Sequence, residues 1–557
     1  MPKTSCLPFV LLALSPVAFA VDLPTLSGQM QQMPPTPTLE KAMPKLDVKP
    51  TAAPAQSPTV EDGVRIVVKR LIVIGEQAFS EAALLEVTGF QPGSKLNLTA
   101  LRGMAARIAE LYHRKGYFVA QAYLPEQDVK DGVVTIAVIE GRYGQVRLNS
   151  RANVSERLAY DLLGGLDPGN PVLAAPLEER LLLLSDLPGV TVSSTLVPGV
   201  DFGSSDLVVE LAQGPRVNGS VDADNAGNPY TGANRIGATI YVNELIGQGD
   251  VASLRALTSG AGLKYARGAY QIQFGRATAG VAYSQLGYRL GEQFAPLQAH
   301  GAEKITSIFG SYPLIRSRNT NLHAGLQFDA RTFRDQVDVI PSVADKRAKV
   351  LVASLHGNRN DKFGGGGSTS GALTWNTGRL DLQTPAVRAL DAATARTNGS
   401  YGKLGFSLSR LQHLTDSMSL WAAVNGQAAS KNLDPSEKME LGGMYAVRAY
   451  PEGEAYADQG YVLTVEARYA LPKFAPRLPG QLELIGFVDT GSVTLNKNPW
   501  DASQNHRTLS GAGVGLNWSE TNNFMVRAYY AVKVGDGVTT SAPDKNGRFW
   551  IQGVKYF

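Results

Sequence analysis

A transmembrane β-barrel of about sixteen antiparallel strands, preceded by two α+β domains, is the fold class this sequence predicts. The first observation behind it is a tract of 341 residues, Val217 to Phe557 (557 − 217 + 1), in which apolar and polar residues alternate and helical periodicity is absent. The second is hydropathy: 44% of the chain is hydrophobic, yet no apolar run is long enough for a spanning helix. The third is a pair of segments inside the alternating tract, Val447-Arg448-Ala449-Tyr450 and Phe487-Val488-Asp489-Thr490-Gly491. An Arg and an Asp in otherwise membrane-suited segments are costly unless they face a lumen and pair with each other.

Taken in order, residues 1–20 read as a secretory signal: Lys3 supplies a positive charge, Leu7 to Leu14 an apolar block, and Ala18-Phe19-Ala20 a small-residue cleavage signature. The single cysteine, Cys6, lies inside that stretch, so the mature chain would hold no disulfide, as suits a barrel stabilised by closed hydrogen-bond ladders. Residues 21–60 form a Pro-rich tether whose composition reads as disordered, although Leu23, Leu26, Met30 and Met33 have the spacing of one short amphipathic turn.

From Val64 the order β-α-α-β-β is met twice. In the first unit, residues 61–141, a strand from Val64 to Ile74 precedes a helix opened by Ser80 and closed by Gly89. A second helix after Thr99 places Leu101, Met104, Ala105, Ile108 and Leu111 on one face, and strands Tyr117 to Leu124 and Val133 to Ile139 follow. The second unit, residues 142–213, is expected to have strands at Gln145 to Leu148, Val190 to Leu196 and Asp206 to Leu211. Its helices are expected near Ser155 to Leu163 and Leu177 to Leu187. Each unit holds one modest core and hardly a buried active site.

Residues 214–557 are expected to form the barrel, with a long lumenal loop near 430–459. On Asn321 to Arg331 the residues Leu322, Ala324, Leu326, Phe328 and Ala330 share one face, against His323, Gln327, Asp329 and Arg331 on the other. The same split recurs from Leu463 to Leu471 and from Phe524 to Val534, as suits a lipid-facing exterior around a polar lumen. Leu482, Leu484, Gly486 and Val488 form an outward row that leaves Glu483, Ile485, Phe487 and Asp489 facing the lumen.

The segment Tyr112-His113-Arg114-Lys115-Gly116-Tyr117, continued by Leu124-Pro125-Glu126-Gln127 and Val138-Ile139-Glu140-Gly141-Arg142, resembles the first polypeptide-transport-associated (POTRA) domain of two-partner secretion transporters, the haemolysin secretion/activation type. The resemblance covers the whole chain after the signal, and it implies that the turn within Leu23 to Met33 would be a short plug helix in the pore. It implies an outer-membrane protein of a Gram-negative bacterium, with its POTRA domains in the periplasm. Such a protein would recognise an unfolded exoprotein carrying an N-terminal secretion domain and export it through the barrel without nucleotide hydrolysis. It implies further that Val447, Arg448, Ala449 and Tyr450 tip a folded-in loop whose Arg pairs with Asp489 of the wall motif Phe487, Asp489, Gly491. Family members usually have Gly where this chain has Ala449, and a left-handed backbone there would strain an alanine. Tyr112, Gly116, Tyr117, Leu124, Pro125, Gln127, Glu140 and Gly141 would serve the POTRA fold or contact cargo. The partners implied are the exoprotein and outer-membrane lipid, with the barrel a monomer. The cargo stays open among adhesin, cytolysin and contact-dependent toxin, and an outer-membrane assembly insertase is the alternative function.

Other chemistries find little support. His113, His300, His323, His356, His413 and His506 are isolated in sequence, without metal-ligand spacing, so no metal and no cofactor is expected. Gly364-Gly365-Gly366-Gly367 lacks the Lys-Ser/Thr of a phosphate loop and reads as a turn. No Ser, His and Asp pattern argues for a hydrolase, so an enzyme is not expected. The net charge of +4 over 557 residues makes no case for nucleic acid.

Overall fold

The computed structural model describes residues 28–39, 44–48, 64–473 and 479–557. The expected signal and the residues Leu23 and Leu26 lie outside them. Within the tether, Gln29–Gln32 form a 3₁₀ turn and Lys45–Val48 a strand, β1.

The first α+β domain contains β2 (Ile66–Val68), β3 (Arg70–Ile74), α1 (Glu81–Thr88), β4 (Ser94–Leu96), α2 (Leu98–Arg114), β5 (Gln121–Tyr123) and β6 (Val133–Ile139). β6 is central, parallel to β3 and antiparallel to β5, while β2 pairs with β4. The expected single strand from Val64 to Ile74 is broken at Lys69, because the amides of Lys69 and Arg70 both donate to the Gly132 carbonyl (2.7 and 3.2 Å). α1 has the expected caps, the Ser80 hydroxyl accepting from the Ala83 amide and Gly89 left-handed. α2 starts earlier than expected because the Asn97 side chain caps it, accepting from the Ala100 amide at 2.9 Å. The strand expected from Tyr117 shortens to β5, since Tyr117 to Ala120 form a turn closed by the Ala120 amide on the Tyr117 carbonyl. Leu84, Ile108, Tyr112 and Ile136 centre the apolar core.

The second domain contains β7 (Arg142–Ser150), α3 (Glu156–Leu163), α4 (Ala174–Ser185), β8 (Val190–Pro198) and β9 (Ser204–Gln213). Its sheet runs β1-β8-β9-β7, so the tether supplies the outer strand: β1 lies parallel to β8, with Lys45 opposite Ser193 and Val48 opposite Leu196. Leu158, Leu162, Leu177, Leu184 and Leu207 fill the core between the helices and this sheet.

Sixteen antiparallel strands then close a barrel. They are β10 (Val217–Asp224), β11 (Arg235–Asn243), β12 (Val251–Thr258), β13 (Leu263–Phe274), β14 (Ala277–Arg289), β15 (Ala299–Arg316), β16 (Thr320–Val337), β17 (Ser342–Asp361), β18 (Gly367–Leu382), β19 (Gly399–His413), β20 (Met418–Ala429), β23 (Gln459–Ala470), β24 (Gln481–Thr494), β25 (His506–Glu520), β26 (Phe524–Lys533) and β27 (Gly547–Tyr556). Between β20 and β23 the chain folds inward, carrying a small hairpin of β21 (Met439–Glu440) and β22 (Tyr456–Ala457). β10 closes on β27, where Gly219 and Phe557 exchange backbone hydrogen bonds of 2.9 and 3.1 Å. Outward residues such as Leu326, Leu484 and Val488 are exposed, whereas inward Asp329, Ile485 and Phe487 are buried. Of the four-glycine run, Gly364 to Gly366 lie in the turn between β17 and β18, and Gly367 opens β18.

The second α+β domain docks on one rim of the barrel. Arg316 holds Asp186 through two bonds (2.7 and 2.8 Å), Glu178 and Glu179 on α4 meet Arg318 and Arg276, and the Ser155 amide donates to the Gly247 carbonyl at 2.7 Å.

Candidate functional site

The wall of the site is made by β23 to β27, and parity decides which side chains reach it. On β24, Phe487 and Asp489 face inward; on β23, Thr464 lies opposite Asp489 and Glu466 opposite Phe487. Small residues on β24 and β25 leave room for the loop. A Cβ on Gly511 would sit 2.6 Å from the Cβ of Ala449, and one on Gly491 would collide with Leu441. The loop backbone therefore comes closest to the wall where side chains are missing.

Arg448 is the centre of that contact. Its Nε and Nη2 donate to the two oxygens of Asp489 at 2.8 Å each, and its own amide donates to the same carboxylate at 3.1 Å. Nη1 donates to Glu466 at 2.8 Å, and the other Glu466 oxygen accepts from Arg468 at 2.7 Å. The guanidinium carbon lies 3.4 Å from the centre of the Phe487 ring and 4.8 Å from that of Tyr529. Thr464 donates to Asp489 at 3.0 Å and the Trp550 indole N–H donates to the Arg448 carbonyl at 2.7 Å. Arg448 and Asp489 side chains are 5% and 0% exposed, so the charges depend on one another instead of on water.

Val447, Ala449 and Tyr450 are fully buried beside it, and the Tyr450 hydroxyl donates to the Gly537 carbonyl at 3.0 Å. Ala449 is not among the residues with positive φ, so the strain expected of an alanine at this position does not arise. Glu466, Tyr529 and Trp550 were not marked by any motif. Parity puts Glu466 on the wet face of β23, but its partner is 18 residues away and set by the folded loop.

The roots of the loop are held by further ion pairs. Asp434 meets Lys346 at 3.0 Å, Glu437 meets Arg331 and Lys403 at 2.7 and 2.9 Å, and buried Asp458 accepts from Lys438 and from the Leu433 and Lys497 amides. The tether occupies the lumen beside it. The Gln32 carbonyl accepts from Arg235 at 2.8 Å, Gln32 also meets Tyr456, and Met30 and Met33 pack on a cluster that includes Tyr230 and Phe294. The described part of the expected plug is thus a 3₁₀ turn lodged in the barrel.

The motif of the first domain assembles separately. Tyr112 is fully buried and donates to Glu140 Oε1 at 2.9 Å, and the same oxygen accepts from the Gln77 and Ala78 amides at 2.6 and 2.7 Å. Burial, and then the Glu140 carboxylate, push the Tyr112 phenol well above its ordinary pKa. Phe79, Tyr112 and Tyr117 form an edge-to-face trio. Gln127 clamps the backbone of Thr135 from both sides and also donates to the Pro125 carbonyl, while Leu124 packs on the core. The carbonyls of Gly116 and Gly141 accept from Ala174 and Val172, joining this domain to the next. Gly141 has φ 79°, and a Cβ there would strike Val119. These contacts hold the domain together and set it against its neighbour; they do not reach the lumenal site.

Comparison with known proteins follows the same division. Residues 203–518 match the model of the haemolysin secretion/activation protein family ShlB/FhaC/HecB, and residues 66–141 match the ShlB-type POTRA domain. The chain is 29% identical over 474 residues to the heme/hemopexin transporter protein HuxB of Haemophilus influenzae strain 86-028NP, covering 84% of this chain and 82% of that one. It is 25% identical to the outer membrane transporter CdiB of Dickeya dadantii strain 3937, covering 75% and 74%. In fold it resembles the solved structure of CdiB from Escherichia coli with a TM-score of 0.68 at 19% identity, over 91% of this chain and 94% of that one.

Proposed function

The chain belongs to the haemolysin secretion/activation family of two-partner secretion transporters, outer-membrane barrels with periplasmic POTRA domains, and from that premise we propose how its own residues admit cargo. The unfolded exoprotein enters in extended form and adds as a strand to the sheet of the second POTRA domain. The β8 side of that sheet, opposite its β7 edge, is already occupied: β1 of the tether lies along it. Cargo that adds to β8 therefore displaces β1, and since only a short stretch separates Met33 from Lys45, displacement draws residues 28–33 out of the lumen.

The observation that carries this reading is the double placement of the tether, plug at one end and sheet strand at the other. The Arg448 site gives the remaining loop a fixed seat on the wall of β23 to β27, so that the lumen opens beside the loop. Folding outside the cell removes extended chain from the pore equilibrium and supplies direction without nucleotide. Closure of all sixteen strands within one chain supports a monomeric barrel.

The test is a reversible lock. Leu46 and Ser194 are register partners, and Cys6, the only cysteine, lies in the expected signal. The double variant Leu46→Cys/Ser194→Cys should lose export when oxidised and regain it on reduction. Undiminished export through the cross-linked form would sink the displacement reading while leaving the family assignment untouched.

A further inference from the structure

The lipid-facing exterior is not uniform around the barrel. Strands β15 to β18 are 16 to 20 residues long, more than a tilted strand needs to cross the apolar band, which is about 25 Å tall in such barrels. On their outer faces, toward the rim opposite the POTRA domains, lie Lys304 on β15, Arg334 on β16, Arg347 and Lys349 on β17, and Arg379 on β18, all exposed. Lys304 is opposite Thr332, which is opposite Arg347; Lys349 is directly opposite Arg379. Like charges on opposed positions of a ladder repel. Two residues farther toward the periplasm the same faces turn apolar, with Leu351 on β17, Phe328 on β16 and then Trp375 on β18.

Two carboxylates lie among these cations, and both are engaged. Asp345 meets Arg334 at 3.7 Å, and Asp381, which lies directly opposite Arg347 on the ladder, meets Arg388 at 2.6 Å. No ion pair answers Lys304, Arg347, Lys349 or Arg379 among the described residues. The outward faces of β23 to β27 and of β10 to β12 carry no Lys or Arg on their outer-rim half. A general need for interfacial anchoring would distribute such residues around the barrel; here they are confined to β13 to β18, where Lys264 on β13 and Arg289 on β14 are also outward and exposed near that rim, and they are densest on β15 to β18.

We propose that this sector is a binding site for the phosphorylated glycolipid of the outer leaflet. Its phosphates would lie across Lys304, Arg347, Lys349 and Arg379 and its acyl chains along Phe328, Leu351 and Trp375. Arg and Lys suit phosphate oxygens by charge and by donor geometry, and the position just above the apolar belt is the depth at which a lipid headgroup presents them. The occupant is fixed by continuity with the lipid-facing surface, which a free anion would not need.

The experiment uses the purified full-length protein, incubated with bisphosphorylated lipid A and released from detergent for native mass spectrometry. Wild type should retain the lipid, and Lys304→Gln/Arg347→Gln/Lys349→Gln/Arg379→Gln should retain about tenfold less or lower still. The milder Lys349→Gln/Arg379→Gln should show a smaller loss, and Lys304→Arg/Lys349→Arg should bind as wild type. Lys555→Gln, an outward position at the periplasmic end of β27, should change nothing. Equal retention by wild type and the quadruple variant would overturn the site, as would equal retention of dephosphorylated lipid A. Displacement of the lipid by inorganic phosphate alone would overturn the lipid as its occupant. Unaltered heat-modified migration of the variants on gels shows that their barrels are folded.

Discussion

The first POTRA domain and the lumenal loop each bury a carboxylate against a motif residue, yet they bury it differently. Glu140 uses one oxygen to gather three neutral donors, Tyr112 and the Gln77 and Ala78 amides, inside the core that also holds α1 and α2. Asp489 uses both oxygens to hold one cation, Arg448, that arrives on a loop 41 residues away and shares its charge with Glu466. Loss of the first arrangement loosens a domain. Loss of the second frees a loop while the sixteen-strand ladder remains, because none of the barrel's backbone pairing runs through Arg448. Burial of a carboxylate thus holds a domain core together in one region and anchors a loop to the barrel wall in the other.

The largest effect expected from breaking this comparison is at the seat. Arg448→Ala leaves Asp489 and Glu466 buried without their shared cation, at a cost of about 3–5 kcal/mol to the docked loop. Export should fall to background while the barrel stays inserted and heat-modifiable. Normal secretion at equal protein level would show that the loop need not be seated. Arg448→Ala/Asp489→Ala should cost less in loop protection, measured by hydrogen exchange, than the sum of the two single changes.

Tyr112→Phe is the matching change in the first domain. It removes one of three donors to Glu140 and should cost about 1–2 kcal/mol, seen as faster proteolysis of residues near α2 in the full-length protein. Loop protection should be unchanged and export should decline only as far as the domain is lost. A gating phenotype with an intact domain would erase the distinction drawn here.

The two regions also differed in how far their residues could be read in advance. Alternation alone places Asp489 in the lumen, because a period of two leaves no choice of face, and it gives the barrel for the same reason. The helix caps at Ser80 and Gly89 are local and were legible too. Tertiary context decided the rest. Lys45–Val48 is a strand only because β8 offers it an edge, and its Pro-rich surroundings argued for a tether without structure. Lys69 interrupts a strand through the carbonyl of Gly132, 63 residues on, which no local pattern encodes. Glu466 was visible as an inward residue, but its role depends on where a loop of irregular backbone comes to rest.

A third effect, smaller than the first two, separates the plug from the seat. Deleting residues 21–33 should raise single-channel conductance in planar bilayers without loosening Arg448, since Gln32 and Met33 bind Arg235 and the Tyr230 cluster instead. Conductance equal to wild type would mean that the loop alone closes the lumen.

The smallest effect concerns a third buried carboxylate, one that pairs with no cation among the described residues. Glu244 sits in the turn between β11 and β12, beneath the second POTRA domain, with its backbone carbonyl accepting from Asn153 at 2.9 Å. Its side-chain oxygens are buried, with the Gly249 amide too poorly placed to repay their desolvation. Burial, with Asp250 adding repulsion, lifts its pKa from 4.5 to about 7, a shift that the Gly249 amide only partly offsets. The folded protein then holds a proton that the unfolded chain has released, so stability falls as pH rises from about 4.5 through about 7 and is level above that. Glu244→Gln removes this slope. Thermal unfolding should find the variant close to wild type at low pH and more stable, by about 1 kcal/mol, once the carboxyl of the wild type has ionised. A pH-independent difference would mean that Glu244 is already satisfied by contacts to the domain above it, and that it belongs with Glu140 as a carboxylate that holds a domain together.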